Sequence, residues 1–302
     1  MTIRRFQETI LSHYRLHGRK DLPWKKTRDP YKILVSEVML QQTQVSRVLP
    51  KYQEFLKAFP NVKALAKAPD AKLLKVWQGL GYWRRAKYLK AAAQMIVQDR
   101  SLSRLFRVTA VGGPRPLPGR YSDAHRVGVK RLAGPGTLLE TLPGVGPYTA
   151  RAVACFAFDE CKPFIDTNIR RVYLHFFFPK QKNISDKKIL ETAQQALYKK
   201  DPRLWHYALF DYGATVLKDK EINQRSRHYT KQSQFTGSFR SLRTSVVHLL
   251  LAQPNHAISQ PELNRFLAKE IKTQAMPYTP KQVVDALLKD QLVRKTTRAL
   301  CL

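Results

Sequence analysis

Two acidic residues, Glu37 and Asp166, occupy positions where a carboxyl group could do chemistry. On a helix, Ile33, Leu34 and Leu40 lie three or four positions from the first of them, so its neighbours are mostly apolar. A carboxyl group in such a setting either has a raised pKa and can donate a proton, or reaches solvent at the edge of the apolar stripe. Both interpretations of Glu37 stay open at this point.

The second acid lies in the segment PFIDTNIRRV, residues 163–172, where it opens a helix. An aspartate at that position is ordinarily an N-cap, whose side chain accepts a hydrogen bond from a backbone N–H of the first turn. Taken alone, the capping role is therefore the favoured interpretation of Asp166. A catalytic carboxylate is the alternative.

The segment LPGVGPYTA, residues 142–150, predicts a tight turn that leads into a helix. Gly144 and Gly146 permit the turn and leave backbone N–H groups exposed, and the following proline suits the first helical position. Leu142 and Val145 are expected to anchor the turn in the core. Such a turn beside a helix N-terminus can bind one phosphate without a charged side chain.

Gln41, Gln42 and Thr43 follow the helix of the first acid. Their amide and hydroxyl groups offer hydrogen-bond donors and acceptors with which the edge of a base could be read. Surface glutamines without a function are the alternative.

The elements that carry these residues are almost all helical. Apolar residues recur at helical spacing, and a helix that begins at Asp29-Pro30 carries Glu37. We predict a helical domain over residues 1–217, interrupted at 101–136 by a basic loop insertion rich in Arg, Gly and Pro.

A smaller unit follows this domain. The polar residues 218–236 predict a linker, and residues 237–302 show three helical segments and a strand-like tail, which is typical of a winged-helix unit. That unit either contacts nucleic acid or only packs against the main domain.

The composition indicates a polyanionic partner. The chain has 54 Lys and Arg against 22 Asp and Glu, a formal net charge of +32, which attracts DNA, RNA or an anionic membrane surface and favours a nucleic-acid partner over a merely basic protein. Three cysteines without a CxxC pair argue against a disulfide framework and predict a reducing compartment. The N-terminus lacks the apolar stretch of a signal peptide, and no apolar run is long enough to span a bilayer.

Six segments together resemble one protein family. They are LPW at 22–24, RDPYK at 28–32, SEVMLQQTQV at 36–45, GLGYW at 79–83, LPGVGPYTA and IDTNIRRV. Their order and spacing are similar to those of the MutY-type adenine DNA glycosylases, in the helix-hairpin-helix superfamily that includes endonuclease III. The resemblance covers roughly residues 20–100 and 138–217, and SEVMLQQTQV is its most discriminating part.

The resemblance implies an all-α helix-hairpin-helix fold with two helical subdomains and a cleft. It also implies hydrolysis of the N-glycosidic bond of adenine mispaired with guanine or 8-oxoguanine in double-stranded DNA. Glu37 would be the general acid, Asp166 the second catalytic carboxylate, and Asn168 would help to hold Asp166 or the water. Tyr148 occupies the place of the Schiff-base lysine of lyase-type relatives, which implies a monofunctional enzyme.

The resemblance further implies how DNA is held. Gln42 and Tyr82 match positions that wedge into the duplex, although a core role for Tyr82 in its tight turn is a real alternative. The expected DNA-binding residues are Gln41, Gln42, Thr43, Tyr82, Leu142, Gly144, Val145 and Gly146. We expect a monomer in a prokaryotic-type cytoplasm, associated with the nucleoid and not with a membrane.

The sequence departs from the family in two respects. Most relatives carry four cysteines that hold an iron–sulfur cluster, whereas residues 201–300 contain none, so we predict no cofactor and no metal. The family's separate domain that reads oxidised guanine is not recognisable, so the preferred opposite base stays open. Two other functions remain as alternatives: a thymine or uracil mismatch glycosylase acting opposite guanine, and a non-catalytic DNA-binding homologue.

Overall fold

A computed structural model describes residues 1–107, 134–230, 234–297 and 299–302. The prediction of a mostly helical fold is confirmed, and no helix in these ranges is long and apolar enough to cross a membrane. In chain order the helices are α1 (Ile3–His17), α2 (Pro30–Leu40), α3 (Val45–Ala58), α4 (Val62–Ala66), α5 (Asp70–Trp77), α6 (Arg84–Gln98), α7 (Arg100–Leu105), α8 (Pro135–Leu139), α9 (Pro147–Phe158), α10 (Thr167–Phe177), α11 (Asp186–Gln195), α12 (Pro202–Thr215), α13 (Phe239–Ala252), α14 (Gln260–Thr273) and α15 (Pro280–Lys289).

Contacts divide the chain into two units, each made of two stretches that are distant in sequence. The first unit comprises Met1–Glu37 and Arg100–Lys231, and the second comprises Val38–Asp99 and Gln232–Leu302. The division falls inside α2, directly after Glu37.

Aromatic side chains form the centre of the first unit. The buried ring of Phe6 on α1 packs edge-on against Trp205 of α12, with ring centroids 5.5 Å apart, and contacts Tyr173 of α10 at 5.6 Å. The apolar residues of α1 recur at helical spacing, so a single stripe of that helix is buried against α12.

A close approach of two helices fixes the start of α10. A Cβ atom at Gly213 of α12 would lie 2.4 Å from the backbone oxygen of Asn168, so only glycine fits there. The guanidinium of Arg171 joins the same helices by donating to the carbonyl oxygens of Gly213 at 2.7 Å and Leu217 at 3.0 Å. The N-terminus of α10, which carries Asp166, is therefore held firmly against α12.

The second unit combines α3–α6 with residues 234–302. The latter run helix, strand, helix, helix, strand, strand, with β1 (Ala257–Ser259), β2 (Arg294–Lys295) and β3 (Ala299–Cys301). The strands form an antiparallel sheet in the order β1-β3-β2, with Ile258 opposite Leu300. This order is that of a winged-helix unit, as the sequence predicts. Capping boxes at Ser259 and Thr279 begin α14 and α15.

Two stretches differ from the sequence expectation. The interval 101–136, predicted as a loop, is helical at both ends, because α7 buries Leu102 and Leu105 and α8 buries Leu139; residues 108–133 lie outside the described ranges. Closely spaced arginines and glycines hid these short helical periods.

The polar stretch 218–236, predicted as a linker, begins with a 3₁₀ helix at Lys220–Arg225. The side chains of Ile222 and Asn223 are buried there, and Ile184 exchanges backbone hydrogen bonds with Arg225 and Arg227. These polar residues are ordered by hydrogen bonds to a distant segment, which no local pattern reveals. The predicted domain limits themselves stay a prediction.

Candidate active site

Glu37 lies on α2 and is only 5% exposed. The alternative in which its carboxyl group reaches solvent is therefore wrong. Burial raises the pKa of Glu37 to about 7, and the nearby charge of Asp166 adds to the increase. The carboxyl group is thus divided between its protonated and ionised forms at neutral pH.

Tyr148, in the first turn of α9, contacts this carboxyl group directly. Its phenol oxygen lies 3.2 Å from Oε2 of Glu37. Burial and the two neighbouring acids raise the pKa of Tyr148 well above its ordinary value, so the phenol keeps its proton and donates the hydrogen bond. The Tyr148 ring packs edge-on against Phe164, which in turn stacks on the buried His206 at 4.0 Å.

The two oxygens of the Asp166 carboxylate have different hydrogen-bond partners. One oxygen, Oδ1, accepts a hydrogen bond from the backbone N–H of Ile169 at 2.7 Å and caps α10. The other, Oδ2, accepts from the side-chain amide of Asn168 at 3.0 Å. Burial raises the pKa of Asp166, and these hydrogen bonds oppose the increase because they favour the ionised form.

The three groups form one site in the first unit. Asp166 raises the pKa of both Glu37 and Tyr148, so the groups are near enough to act on each other electrostatically. Two carboxyl groups in different environments can act as an acid and as an anion. Glu37, the more deeply buried one, can carry the proton, and Asp166, which accepts two hydrogen bonds, can carry the negative charge.

The predicted phosphate-binding turn precedes Tyr148. Leu142 and Val145 are buried and anchor it, and the Val145 N–H donates to the Leu142 carbonyl oxygen at 3.1 Å. Gly144 has a φ of +73°, which favours glycine, and Gly146 is the N-cap of α9. Both glycines are exposed. The turn and the tyrosine therefore share one helix N-terminus, where backbone N–H groups favour an anion.

The predicted wedge residues lie in the second unit. Gln42 is exposed and Tyr82 is half-buried, so the tyrosine is not a fully enclosed core residue. Both have left-handed backbones, with φ of +55° and +49° respectively. Non-glycine residues rarely adopt this conformation, and where they do the surrounding structure must hold it.

One buried arginine, Arg85, holds both wedge turns, which are the turns that carry Gln42 and Tyr82. The sequence analysis missed it. It lies on the buried face of α6 beside Ala86 and Leu89, and an arginine on an apolar stripe is the signal that could have revealed it. Its guanidinium donates to the backbone oxygens of Val38 (2.9 Å), Met39 (3.0 Å), Gln41 (2.5 Å), Leu80 (2.8 Å) and Gly81 (3.1 Å), and to the hydroxyl of Thr43 (3.1 Å).

The cysteines do not fit an iron–sulfur cluster. Such a cluster needs four ligands, and the chain has three cysteines in all. Cys155 is buried with its sulfur 3.5 Å from Nδ1 of His206, whereas Cys161 is exposed. No catalytic step is assigned to an iron–sulfur cluster.

Comparison with known proteins places this site within a matched region. Residues 35–199 match the family model described as HhH-GPD superfamily base excision DNA repair protein. An adenine DNA glycosylase of Buchnera aphidicola subsp. Baizongia pistaciae is 33% identical over 220 residues, which cover 72% of this chain and 54% of the relative. That of Mycolicibacterium smegmatis is 42% identical over 164 residues, covering 54% and 46%. The chain spans about half the length of these curated relatives.

Two solved structures have a similar fold. A thermostable thymine-DNA glycosylase has a TM-score of 0.54 and 26% identity, over 70% of this chain and 86% of that chain. A trapped endonuclease III–DNA covalent intermediate has a TM-score of 0.52 and 17% identity, also over 70% and 86%. At that identity the second likeness concerns the fold alone.

Proposed function

The chain belongs to the HhH-GPD superfamily of base excision DNA repair proteins, and on that premise we propose that it is a DNA glycosylase that releases mispaired adenine. The observation that carries the proposal is the buried Glu37 carboxyl group, hydrogen-bonded to Tyr148 and coupled to Asp166. The adenine DNA glycosylases among its relatives support adenine as the base. Guanine or 8-oxoguanine is the opposite base that we propose.

A base inside a duplex cannot reach two buried carboxyl groups, so the adenine must first leave the stack. Glu37 in its protonated form then donates its proton to a ring nitrogen of the adenine. The N-glycosidic bond breaks, its electron pair goes to the base, and the sugar is left as an oxocarbenium ion.

Asp166 in its ionised form stabilises that cation. A water molecule adds to C1′ of the sugar and loses a proton, which yields an abasic site. Asn168 positions Asp166 through its 3.0 Å hydrogen bond, and the Tyr148 hydroxyl stabilises the anion left on Glu37 after proton transfer. General acid catalysis of this type contributes on the order of a hundred- to ten-thousand-fold.

We further propose that the enzyme is monofunctional. A strand-cleaving lyase needs an amine that attacks the sugar, and Tyr148 offers a protonated phenol instead. Lys162, the lysine nearest to Tyr148 in sequence, pairs with Glu160 at 2.6 Å. Lys25, a buried amine of the same unit, pairs with the buried Asp211 at 2.8 Å.

The DNA backbone is held by the turn around Gly144 and Gly146, while Gln42 and Tyr82 occupy the space that the extruded base vacates. The formal charge of +32 supplies a general attraction for phosphate. Because that attraction does not depend on base sequence, we assign selectivity to the two wedge turns and the acid site.

A thymine or uracil mismatch glycosylase is the second candidate. The likeness at 26% identity to a thermostable thymine-DNA glycosylase favours it. The two candidates differ in the base released and not in the fold.

A duplex panel tests both candidates. Duplexes that carry A, T or U opposite G or 8-oxoguanine are incubated with excess enzyme, and base release is followed with and without hot alkali. We expect release of adenine alone, with strand breaks only after alkali. Release of thymine or uracil would establish the second candidate, and breaks without alkali would contradict the monofunctional mechanism. If no duplex loses a base, the glycosylase proposal fails.

A matched variant guards against a contaminating enzyme. Asp166→Asn protein, purified in the same way, should bind the same duplexes and release nothing, because an amide cannot stabilise the cation with a negative charge.

A further inference from the structure

The C-terminal segment, defined as residues 234–302, contacts three consecutive residues that lead from a wedge turn into α6. They are Tyr82, Trp83 and Arg84. The first, Tyr82, accepts a hydrogen bond on its phenol oxygen from the guanidinium of Arg240 on α13. The same guanidinium lies 4.9 Å from the centroid of the Tyr82 ring, within the range of a cation–π interaction. One arginine thus holds both the face and the hydroxyl of this ring.

The next two residues, Trp83 and Arg84, are held by the C-terminal segment as well. The indole N–H of Trp83 donates to the Thr244 hydroxyl at 3.2 Å, and the Trp83 ring packs edge-on against His248 at 5.6 Å. Arg84 pairs with Asp290, directly after α15, at 3.1 Å.

The contacts come from one face of α13. Arg240, Thr244 and His248 are each four residues apart, so their side chains lie one above the other along the helix. Asp290 also accepts a hydrogen bond from Arg243, which ties α15 to α13. The C-terminal segment therefore presents a continuous surface to the turn.

Tyr82 needs such support. Its left-handed backbone is held only if the surroundings outweigh the strain. The Arg85 guanidinium also lies near the Tyr82 ring, 5.3 Å from its centroid. Arg85 falls within the residues that match the family model, whereas Arg240 falls beyond them.

We propose that the C-terminal segment acts in base extrusion by positioning Tyr82 through Arg240. The inference rests on the proposed function and assigns that segment a task within it. Arg240 is a positioning residue, because it acts on the DNA through the tyrosine. The segment is thus a support for the wedge rather than a separate binding module.

The test measures extrusion and base release separately in the full chain. A duplex with 2-aminopurine beside the target adenine reports extrusion by stopped-flow fluorescence, and single-turnover assays report release. The variants are Arg240→Ala, Arg240→Lys and, as a charge-matched control, Arg265→Ala, which removes an exposed arginine of α14. Thermal melting shows that each variant is folded.

We expect Arg240→Ala to slow extrusion and release about tenfold, with DNA affinity within about twofold of the wild type. Arg240→Lys should recover part of the rate, because it keeps a charged donor. Arg265→Ala should behave as the wild type. In a Tyr82→Ala background, Arg240→Ala should slow release by less than about twofold, since its action passes through the ring.

Two results would overturn the proposal. One is equal slowing by Arg240→Ala and Arg265→Ala, which would make Arg240 a general charge. The other is an undiminished effect of Arg240→Ala without the Tyr82 ring. A wild-type protein that releases no base contradicts the proposed function instead. In that case the melting temperatures of Tyr82→Phe, Arg240→Ala and the double variant still measure whether Arg240 contacts the Tyr82 hydroxyl.

Discussion

The phenol of Tyr148 donates a hydrogen bond to the carboxyl group of Glu37 across 3.2 Å. Burial and Asp166 raise the pKa of Glu37, and this hydrogen bond alone opposes them, since it favours the ionised form. Tyr148 therefore lowers the pH at which the Glu37 carboxyl group loses its proton.

Removal of that hydroxyl should extend activity to higher pH. The wild-type single-turnover rate should fall tenfold per pH unit above a pH of about 7, because only protonated Glu37 donates. Tyr148→Phe removes the bond that lowers the pKa of Glu37, so the decline should begin at higher pH. Rates measured from about pH 5 to pH 9 check this.

The control for this profile is Glu37→Gln, which cannot donate a proton and should lose at least about a hundredfold in rate at low pH. A Tyr148→Phe profile that declines at the same or a lower pH than the wild type would contradict the assignment of the hydrogen bond.

Glu37 should also make folding stability depend on pH. Its pKa rises from 4.5 to about 7 on folding, so the folded state binds more protons between these values. The stabilisation is fully present below pH 4.5 and is lost as the pH rises through about 7, a loss on the order of 3 kcal/mol.

Urea unfolding at pH 5 and pH 8 measures this effect. Glu37→Gln should flatten the decline that the wild type shows. The half-exposed Glu54→Gln should leave the decline unchanged. An equal pH dependence in Glu37→Gln and the wild type would show that the carboxyl group is not buried in solution.

The two oxygens of Asp166 allow its two roles to be separated. Asparagine caps a helix about as well as aspartate, so Asp166→Asn should leave the free energy of unfolding within about 0.5 kcal/mol. Asp166→Ala loses the cap and should cost about 1 kcal/mol. Both should abolish base release. Activity retained in Asp166→Asn would mean that this residue is only a cap.

The two glycines of the hairpin turn should respond differently to alanine. Gly144 has a φ of +73°, so Gly144→Ala should destabilise the fold by about 1 kcal/mol. Among the described residues other than its chain neighbours, no atom lies within 4 Å of a Cβ built at Gly146, and its φ is −83°, so Gly146→Ala should fold normally. Its methyl group would nevertheless meet an approaching phosphate.

Thermal melting and DNA affinity at fixed salt separate these effects. Gly146→Ala should lower the affinity without lowering the melting temperature. If its affinity for DNA equals that of the wild type, the turn is not the phosphate-binding site.

Local patterns predicted the mostly helical fold. The helix that carries Glu37 begins at Pro30, as predicted, because an Asp-Pro pair is a local signal for a helix start. The apolar neighbours of Glu37 on α2 left both burial and exposure of its carboxyl group open, and the structure shows that it is buried. Asp166 caps α10, as its position predicts, and its catalytic role stays a prediction.

Contacts between distant segments could not be predicted in the same way. The hydrogen bonds from Arg85 to the two wedge turns depend on the path of α2 relative to α6. The contact of Arg240 with Tyr82 joins residues 158 positions apart. The 3₁₀ helix Lys220–Arg225 likewise depends on Ile184. Sequence periodicity contains no information on such pairings.

The interleaving of the two units constrains biosynthesis. Val38–Asp99 is translated well before Gln232–Leu302, the other stretch of the same unit. At about 5 to 20 residues per second, the nascent turn around Trp83 waits for roughly 10 to 40 seconds before α13 exists to cover it. During this interval its indole is open to chaperones and to premature association, and the synthesis of Gln232–Leu302 ends this aggregation risk.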